Sequence, residues 1–128
     1  MALVPTSFLK ILPHLPHQVT SGEATANTLT ISYSDRVEDD STIAVYYNGQ
    51  LVENSTINPS GRFYYSFTKV LGTVDPDTGA DSGSSIDITM TRNISYIGPG
   101  YTSGTAASTL SSYDNFTVSY YYVIYTPV

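Results

Sequence analysis

The stretch Phe116-Thr-Val-Ser-Tyr-Tyr-Tyr-Val-Ile-Tyr125 is the strongest β-strand signal in this sequence. One alternating set of its residues is wholly apolar or aromatic: Phe116, Val118, Tyr120, Tyr122 and Ile124. The other set begins with Thr117 and Ser119 and becomes aromatic or apolar from Tyr121 onward. Successive side chains of a strand point to opposite faces, and aromatic and β-branched residues favour packed, pleated positions. The stretch therefore predicts a strand that is half-buried at its start and covered on both faces at its end.

Five earlier stretches have strand patterns and are separated by turn signals: 28–34, 42–47, 50–54, 62–70 and 85–93. In the last of these, Ile86, Ile88 and Met90 alternate with polar residues, so we expect these three side chains to face a core. Short strands at this spacing are typical of a sandwich. We predict an all-β fold consisting of a single antiparallel β-sandwich, Ig-like or jelly-roll-like, with about six or seven strands.

The dipeptide Asn48-Gly49 predicts a two-residue hairpin turn, because Asn and Gly tolerate the positive φ angles of a type I′ turn. A turn of this length also fixes the register of the flanking strands. The expected pairs are Tyr47 with Gln50, Tyr46 with Leu51 and Val45 with Val52.

Residues 1–27 are predicted to form an extended N-terminal arm and linker, ahead of a sandwich domain over residues 28–128. Pro5, Pro13 and Pro16 argue against a regular strand or a long helix, although they allow a short helical turn over residues 7–12. The arm is nevertheless rich in large apolar residues: Leu3, Val4, Phe8, Leu9, Ile11, Leu12 and Leu15. It either folds back on its own domain or lies on a neighbouring subunit. Because so many apolar groups form a sizeable exposed patch, we favour the neighbour.

The charge of the chain excludes several classes of partner. The net charge is −6, and the five basic residues are scattered along the 128-residue chain. Binding to nucleic acid or to an anionic membrane requires clustered cations, so neither is expected. The chain has no cysteine, which excludes disulfides and thiolate zinc sites. The N-terminus does not have the pattern of a signal peptide, so we expect a complete, unexported polypeptide.

The loop Asp75-x-Asp77-x-Gly79-x-Asp81 places carboxylates at alternate positions, a spacing that a calcium ion can use. It lacks the remaining EF-hand pattern, so Asp75, Asp77 and Asp81 are only a weak calcium candidate, and a solvated turn is the ordinary alternative. His14 and His17 have no further ligands nearby in the sequence. We therefore expect no metal and no cofactor.

No catalytic pattern is present either. There is no Gly-x-Ser-x-Gly elbow, and both histidines that could serve as bases lie in the proline-rich arm. We expect a protein that is not an enzyme.

The twelve tyrosines are the unusual feature of the composition. Several are adjacent, so that one tyrosine of each group can fill the core while another covers an outer face. We assign Tyr46, Tyr64 and Tyr121 to the outer faces. A flat amphipathic ring at such a position suits contact with a protein or a saccharide. The alternative is that tyrosine merely supplies β propensity.

A small, acidic, cysteine-free β-domain with an apolar, proline-punctuated N-terminal arm resembles the decoration or cement proteins of tailed-phage capsids. This resemblance concerns organisation and includes no sequence motif. It implies dimers or trimers on the capsid surface, with terminal arms that reach across neighbours. The stretches Leu29-Thr-Ile-Ser-Tyr-Ser-Asp35 and Asp40-Ser-Thr-Ile-Ala-Val45 are also similar to bacterial Ig-like surface modules.

We therefore predict a virion structural protein, a capsid decoration or cement subunit that is made in the host cytoplasm. Its expected partners are the major capsid protein and copies of itself, bound through the apolar residues of the arm and the outer tyrosines. The alternative is a carbohydrate-binding or adhesion module that uses exposed tyrosines and the loops 72–85 and 98–112.

Overall fold

The computed structural model of the chain describes residues 2–12, 28–98 and 116–128, and the regular structure in these ranges is almost entirely β-strand. The strands are β1 (Leu3–Leu12), β2 (Thr28–Tyr33), β3 (Ala44–Tyr47), β4 (Gln50–Leu51), β5 (Glu53–Asn54), β6 (Phe63–Val70), β7 (Thr73–Val74), β8 (Asp81–Ser82), β9 (Ser85–Arg92) and β10 (Phe116–Pro127). One 3-10 turn, Asp40–Thr42, precedes β3. Six of these strands have four or more residues, and the other four are two-residue pairings.

Two four-stranded sheets pack face to face, which confirms the predicted all-β sandwich. The first sheet has the order β1-β10-β3-β4 and the second has the order β2-β9-β6-β5. All pairings are antiparallel except the short parallel contact between β5 and β6. A small hairpin, β7-β8, lies beside the sheets as a separate ladder.

The core is built from the alternate residues of both sheets. The buried apolar side chains are Val37, Ile43, Val45, Val52, Phe63, Tyr65, Ile86, Ile88, Met90, Phe116, Val118 and Tyr120. The prediction for Ile86, Ile88 and Met90 is thus confirmed. Phe63, Phe116 and Tyr47 form an aromatic cluster with ring centroids 4.7–5.3 Å apart. Such tilted and edge-on contacts are the favoured geometry for aromatic pairs.

The hairpin at Asn48-Gly49 is also as predicted. Both residues have positive φ, 51° and 78°. Tyr47 pairs with Gln50 and Tyr46 pairs with Leu51. The N–H of Val52 donates to the carbonyl of Val45 at 2.7 Å, which completes the expected register.

One predicted strand was wrong, and one predicted loop has more structure than expected. The stretch 50–54 is not one strand, because β4 belongs to the first sheet and β5 belongs to the second. Val52 lies between them and is buried, so the chain crosses the edge of the core at this residue. The stretch 72–85, predicted as a loop, contains the short β7-β8 hairpin.

The N-terminal segment is the main correction. Leu3–Leu12 is a regular ten-residue strand, which the prolines argued against, and it contains no helical turn over residues 7–12. It pairs along its whole length with β10 of its own chain, so the segment folds back on its own sheet. The rest of the predicted arm and linker, residues 13–27, lies outside the described residues, together with His14 and His17.

Pro5 is compatible with this strand because of its position in the ladder. The N–H of Val128 donates to the carbonyl of Ala2, so even-numbered residues of β1 direct their backbone groups toward β10. Odd-numbered residues direct theirs to the open side of this edge strand. The missing N–H of Pro5 therefore removes no bond to β10, and proline is tolerated at such edge positions.

Candidate interaction surface

The candidate surface is a ribbon formed by β1 and the paired residues Val118–Pro127 of β10. On the other side of β10, β3 pairs only with Phe116–Ser119. From Tyr120 onward, β10 therefore has β1 as its only strand partner among the described residues. The ribbon extends the first sheet as a two-stranded element.

The outer face of the ribbon is apolar. Val118 and Tyr120 are buried in the core, so Tyr121 and its direct partner Leu9 point away from the core. The exposed fractions are 46 % for Tyr121, 50 % for Leu9 and 57 % for Ile11. Together these three side chains form one apolar patch on the outside of the first sheet, here called the outer patch.

The inner face of the ribbon continues beyond the core. The ring of Tyr33 in β2 lies 5.7 Å from the ring of Tyr120. Farther along the same face, Val4, Phe8 and Ile124 are 43–44 % exposed. Phe8 is stacked on Tyr122 at 5.6 Å. The apolar inner face is therefore longer than the part covered by the second sheet.

A partly buried hydrogen-bond cluster holds β1 to the sandwich. The ammonium group of Lys10 donates to Asp35 at 2.7 Å, and the hydroxyl of Tyr120 donates to the same carboxylate oxygen. Tyr120 is fully buried. Burial and the hydrogen bond to Asp35 both raise the pKa of the Tyr120 hydroxyl. Because hydrogen bonds to charged groups are stronger than neutral ones, this cluster fixes the position of the strand.

A second cluster supports the opposite edge of the ribbon. The carbonyl of Arg36 accepts a hydrogen bond from the N–H of Val123 at 2.9 Å. Its guanidinium, almost fully buried, donates to both carboxylate oxygens of Asp81 and to the carbonyl of Gly72. The hydrogen bonds from Arg36 lower the pKa of Asp81. This cluster joins the β7-β8 hairpin to the ribbon.

The predicted partner-binding residues do not form one surface. Leu9, Ile11 and Tyr121 make up the outer patch, and Tyr46 lies on the same side of the first sheet, opposite Thr117. Val4 and Phe8 lie on the inner face. Leu3 and Leu12 are half-buried. Tyr64 lies on the outside of the second sheet, because its neighbours Phe63 and Tyr65 point into the core.

The structure does not bring the three candidate calcium ligands together. The Asp81 carboxylate is held by Arg36, and an Asp75 oxygen accepts hydrogen bonds from the backbone of Asp77 and Thr78. Across the described ranges, no three carboxylate or imidazole groups form a cluster that could hold a metal ion. Asp75 shapes a turn, which is the ordinary role of an Asp at this position.

Sequence reasoning missed the roles of Asp35 and Arg36. Both lie in the acidic stretch 35–40, a run of charged residues that is typical of a solvated loop. The one signal against that interpretation is Val37, an apolar residue within the charged run, and its side chain is completely buried.

An open cleft of about 1020 Å³ lies between the β3-β4 hairpin and the β5-β6 edge of the other sheet. Its lining includes Tyr47, Tyr65, Tyr96 and Arg62. The guanidinium of Arg62 lies 5.8 Å from the ring of Tyr47 and 5.1 Å from the ring of Phe63.

Comparison of the chain with protein-family models, with curated proteins and with solved structures found no match. In the described part of the chain, no helix has the length and apolarity to cross a membrane.

Proposed function

We propose that this protein is a non-enzymatic structural subunit that decorates or cements a capsid shell, with the major capsid protein and copies of itself as partners. The ribbon, which contains residues 3–12 of the predicted extended arm, is its docking element. Its site of action is the capsid surface of the virion, after synthesis in the host cytoplasm.

The observation that supports this proposal is the outer patch. Leu9, Ile11 and Tyr121 are about half exposed and lie on a rigid sheet. A tyrosine flanked by aliphatic side chains is a composition typical of interaction hot spots. Because the patch is supported by paired strands, docking requires little ordering of the chain, and ordering is a main cost of association.

The first test is mass spectrometry of purified particles from the culture that produces the chain, where we expect the chain among the particle proteins.

The second test measures rebinding of the purified chain to shells from which it has been stripped. We expect Tyr121→Arg to weaken rebinding by about tenfold or more, because a charge replaces an apolar contact. Tyr64→Arg, on the opposite side of the sandwich, is the matched control and should bind normally. Equal binding by both variants, or absence of the chain from particles, would contradict the proposal.

The cleft favours one second candidate function, a carbohydrate-binding or adhesion module. Tyrosine rings beside a guanidinium and backbone amides suit the apolar faces and hydroxyls of a sugar. A glycan array probed with the purified chain tests this candidate. Binding that is lost on Tyr96→Ala, with Tyr121→Arg unaffected, would favour the module over the shell subunit.

A further inference from the structure

The open edge of β1 offers unused backbone hydrogen-bonding groups. Leu3, Ser7, Leu9 and Ile11 direct their N–H and carbonyl groups away from β10, since only even-numbered residues of β1 face that strand. Within the described part of the chain, β1 pairs with β10 alone. An edge of this kind is a template for another strand.

The edge of β1 has little protection against such pairing. Its single charge, Lys10, is an even-numbered residue on the inner face and is held by Asp35. Pro5 blocks the first half of the edge, but no described strand covers it from Ser7 to Ile11. Among the described residues, β1 is also the longest of the outermost strands of the two sheets, with ten residues against six in β2 and two each in β4 and β5.

We propose that β1 pairs antiparallel with β1 of a second copy of this chain, about a twofold axis at Leu9. The pairing joins the two first sheets into one continuous sheet across the dimer. This inference deepens the proposed function by naming the partner of the β1 edge. It rests on the proposed function for the role of the dimer.

Pro5 restricts the register. In an antiparallel pair, the odd-numbered residues, whose backbone groups point toward the second copy, form the hydrogen-bonded pairs, and the even-numbered residues oppose one another between them. Registers centred on Ser7 place Pro5 opposite Leu9 of the second copy, where the proline ring meets a carbonyl and offers no donor. With Leu9 at the centre, none of the residues Leu3–Leu12 of the second copy lies opposite Pro5. Ser7, Leu9 and Ile11 then exchange about six hydrogen bonds with the second copy.

The side chains are compatible with this register. Lys10 lies opposite Phe8 of the second copy, so the two lysines are diagonal and no like charges are directly opposed. Leu9 lies opposite its own symmetry mate on the outer face, and Ile11 lies opposite Ser7. Pairing therefore brings apolar residues together and places a cation beside an aromatic ring.

The absence of cysteine from the chain permits a direct test. In this register the two Leu9 Cα atoms are about 5.5 Å apart, which is within the range that a disulfide bridges. Leu9→Cys should therefore cross-link to a dimer under mild oxidation. The two Ile11 Cα atoms are about 14 Å apart, so Ile11→Cys alone should not cross-link. A mixture of Ile11→Cys and Ser7→Cys chains should form the mixed dimer, because these residues oppose each other.

Sedimentation of the unmodified chain gives a second readout. We expect a monomer–dimer equilibrium. Leu9→Pro should shift it to monomer, because the substitution removes an N–H group that points toward the second copy. Like Pro5, a proline at this position would remove no hydrogen bond to β10. A wild-type chain that stays monomeric up to about millimolar concentration would overturn the inference, as would equal cross-linking of all three cysteine variants.

The two proposals fail separately. A monomer that still rebinds shells, with Tyr121→Arg defective, would refute only the edge pairing. A dimer with the predicted cross-links that does not bind shells would refute only the capsid role.

Discussion

Asp35 ties β1 to the core through side-chain hydrogen bonds. Its carboxylate accepts hydrogen bonds from Lys10 and from the buried hydroxyl of Tyr120. We expect Asp35→Asn to lower the free energy of unfolding by about 1–3 kcal/mol, since it weakens both charge-assisted bonds. Urea denaturation followed by tyrosine fluorescence measures this change. Asp77→Asn, in the exposed hairpin turn, is the control and should change stability by no more than about 0.5 kcal/mol.

The Arg36–Asp81 ion pair should make the stability of the protein depend on pH. Hydrogen bonds from Arg36 hold the pKa of Asp81 below its ordinary value of about 4. The unfolded chain therefore binds a proton at higher pH than the folded chain does. The contribution of the pair is complete above the ordinary pKa and is lost as the pH falls through the lowered pKa of the folded state.

Urea midpoints measured from pH 7 down to about pH 2 test this dependence. We expect the urea midpoint of the wild-type chain to fall on acidification. The midpoint of Asp81→Asn should fall by less over the same pH range. The variant should also be less stable at neutral pH, because the Arg36 guanidinium then loses the Asp81 carboxylate and keeps only that of Glu38. Parallel curves for the two chains would contradict the assignment.

At the scale of elements, Gly79 sets how closely the β7-β8 hairpin approaches β10. Gly79 and Gly49 have nearly equal positive φ, 77° and 78°. A Cβ atom at Gly79 would overlap the carbonyl oxygen of Tyr125, whereas nothing lies near Gly49. Gly49→Ala should cost about 1 kcal/mol of backbone strain. Gly79→Ala should cost clearly more, and the difference between the two unfolding free energies measures the close approach. Equal costs would show that the hairpin is not held against β10.

The elements that sequence reasoning predicted are those specified by local pattern. Alternation identified β6, β9 and β10, and Asn48-Gly49 fixed the β3-β4 register, because both signals act over a few residues. The role of β1 was not predictable in this way. Whether Pro5 breaks a strand depends on which side of the ladder its nitrogen faces, and that depends on a partner more than a hundred residues away. The clusters of Asp35 and Arg36 likewise join residues distant in sequence.

Amide exchange tests the alternation in β1. Val4, Thr6, Phe8 and Lys10 direct their N–H groups toward β10 and should exchange slowly in NMR spectra. Ser7, Leu9 and Ile11 should exchange quickly in dilute solution and slow down as concentration rises, because pairing with a second copy covers the edge. Uniformly fast exchange over Leu3–Leu12 would mean that the segment leaves the sheet.

At the scale of the whole molecule, β1 is a structural part of the sandwich as well as part of its proposed contact surface. Removing residues 1–12 eliminates all ten pairings with β10 and the Lys10–Asp35 ion pair. It also uncovers Tyr122, on which Phe8 is stacked. We expect the truncated chain to lose about 3 kcal/mol or more of unfolding free energy and to aggregate through the newly exposed edge of β10. If the segment only reached a neighbouring subunit, the truncated chain would be as stable as the full one.

The matched control keeps the strand and changes only its outward side chains. A chain carrying Leu9→Ser and Ile11→Ser retains every backbone bond to β10, and both side chains are at least half exposed. Its stability should lie within about 1 kcal/mol of the wild-type value, while its shell rebinding is lost. Urea denaturation of the full, truncated and double-serine chains separates the two roles. If truncation and double substitution lower stability equally, the backbone pairing of β1 contributes nothing, and its apolar side chains alone hold the segment in place.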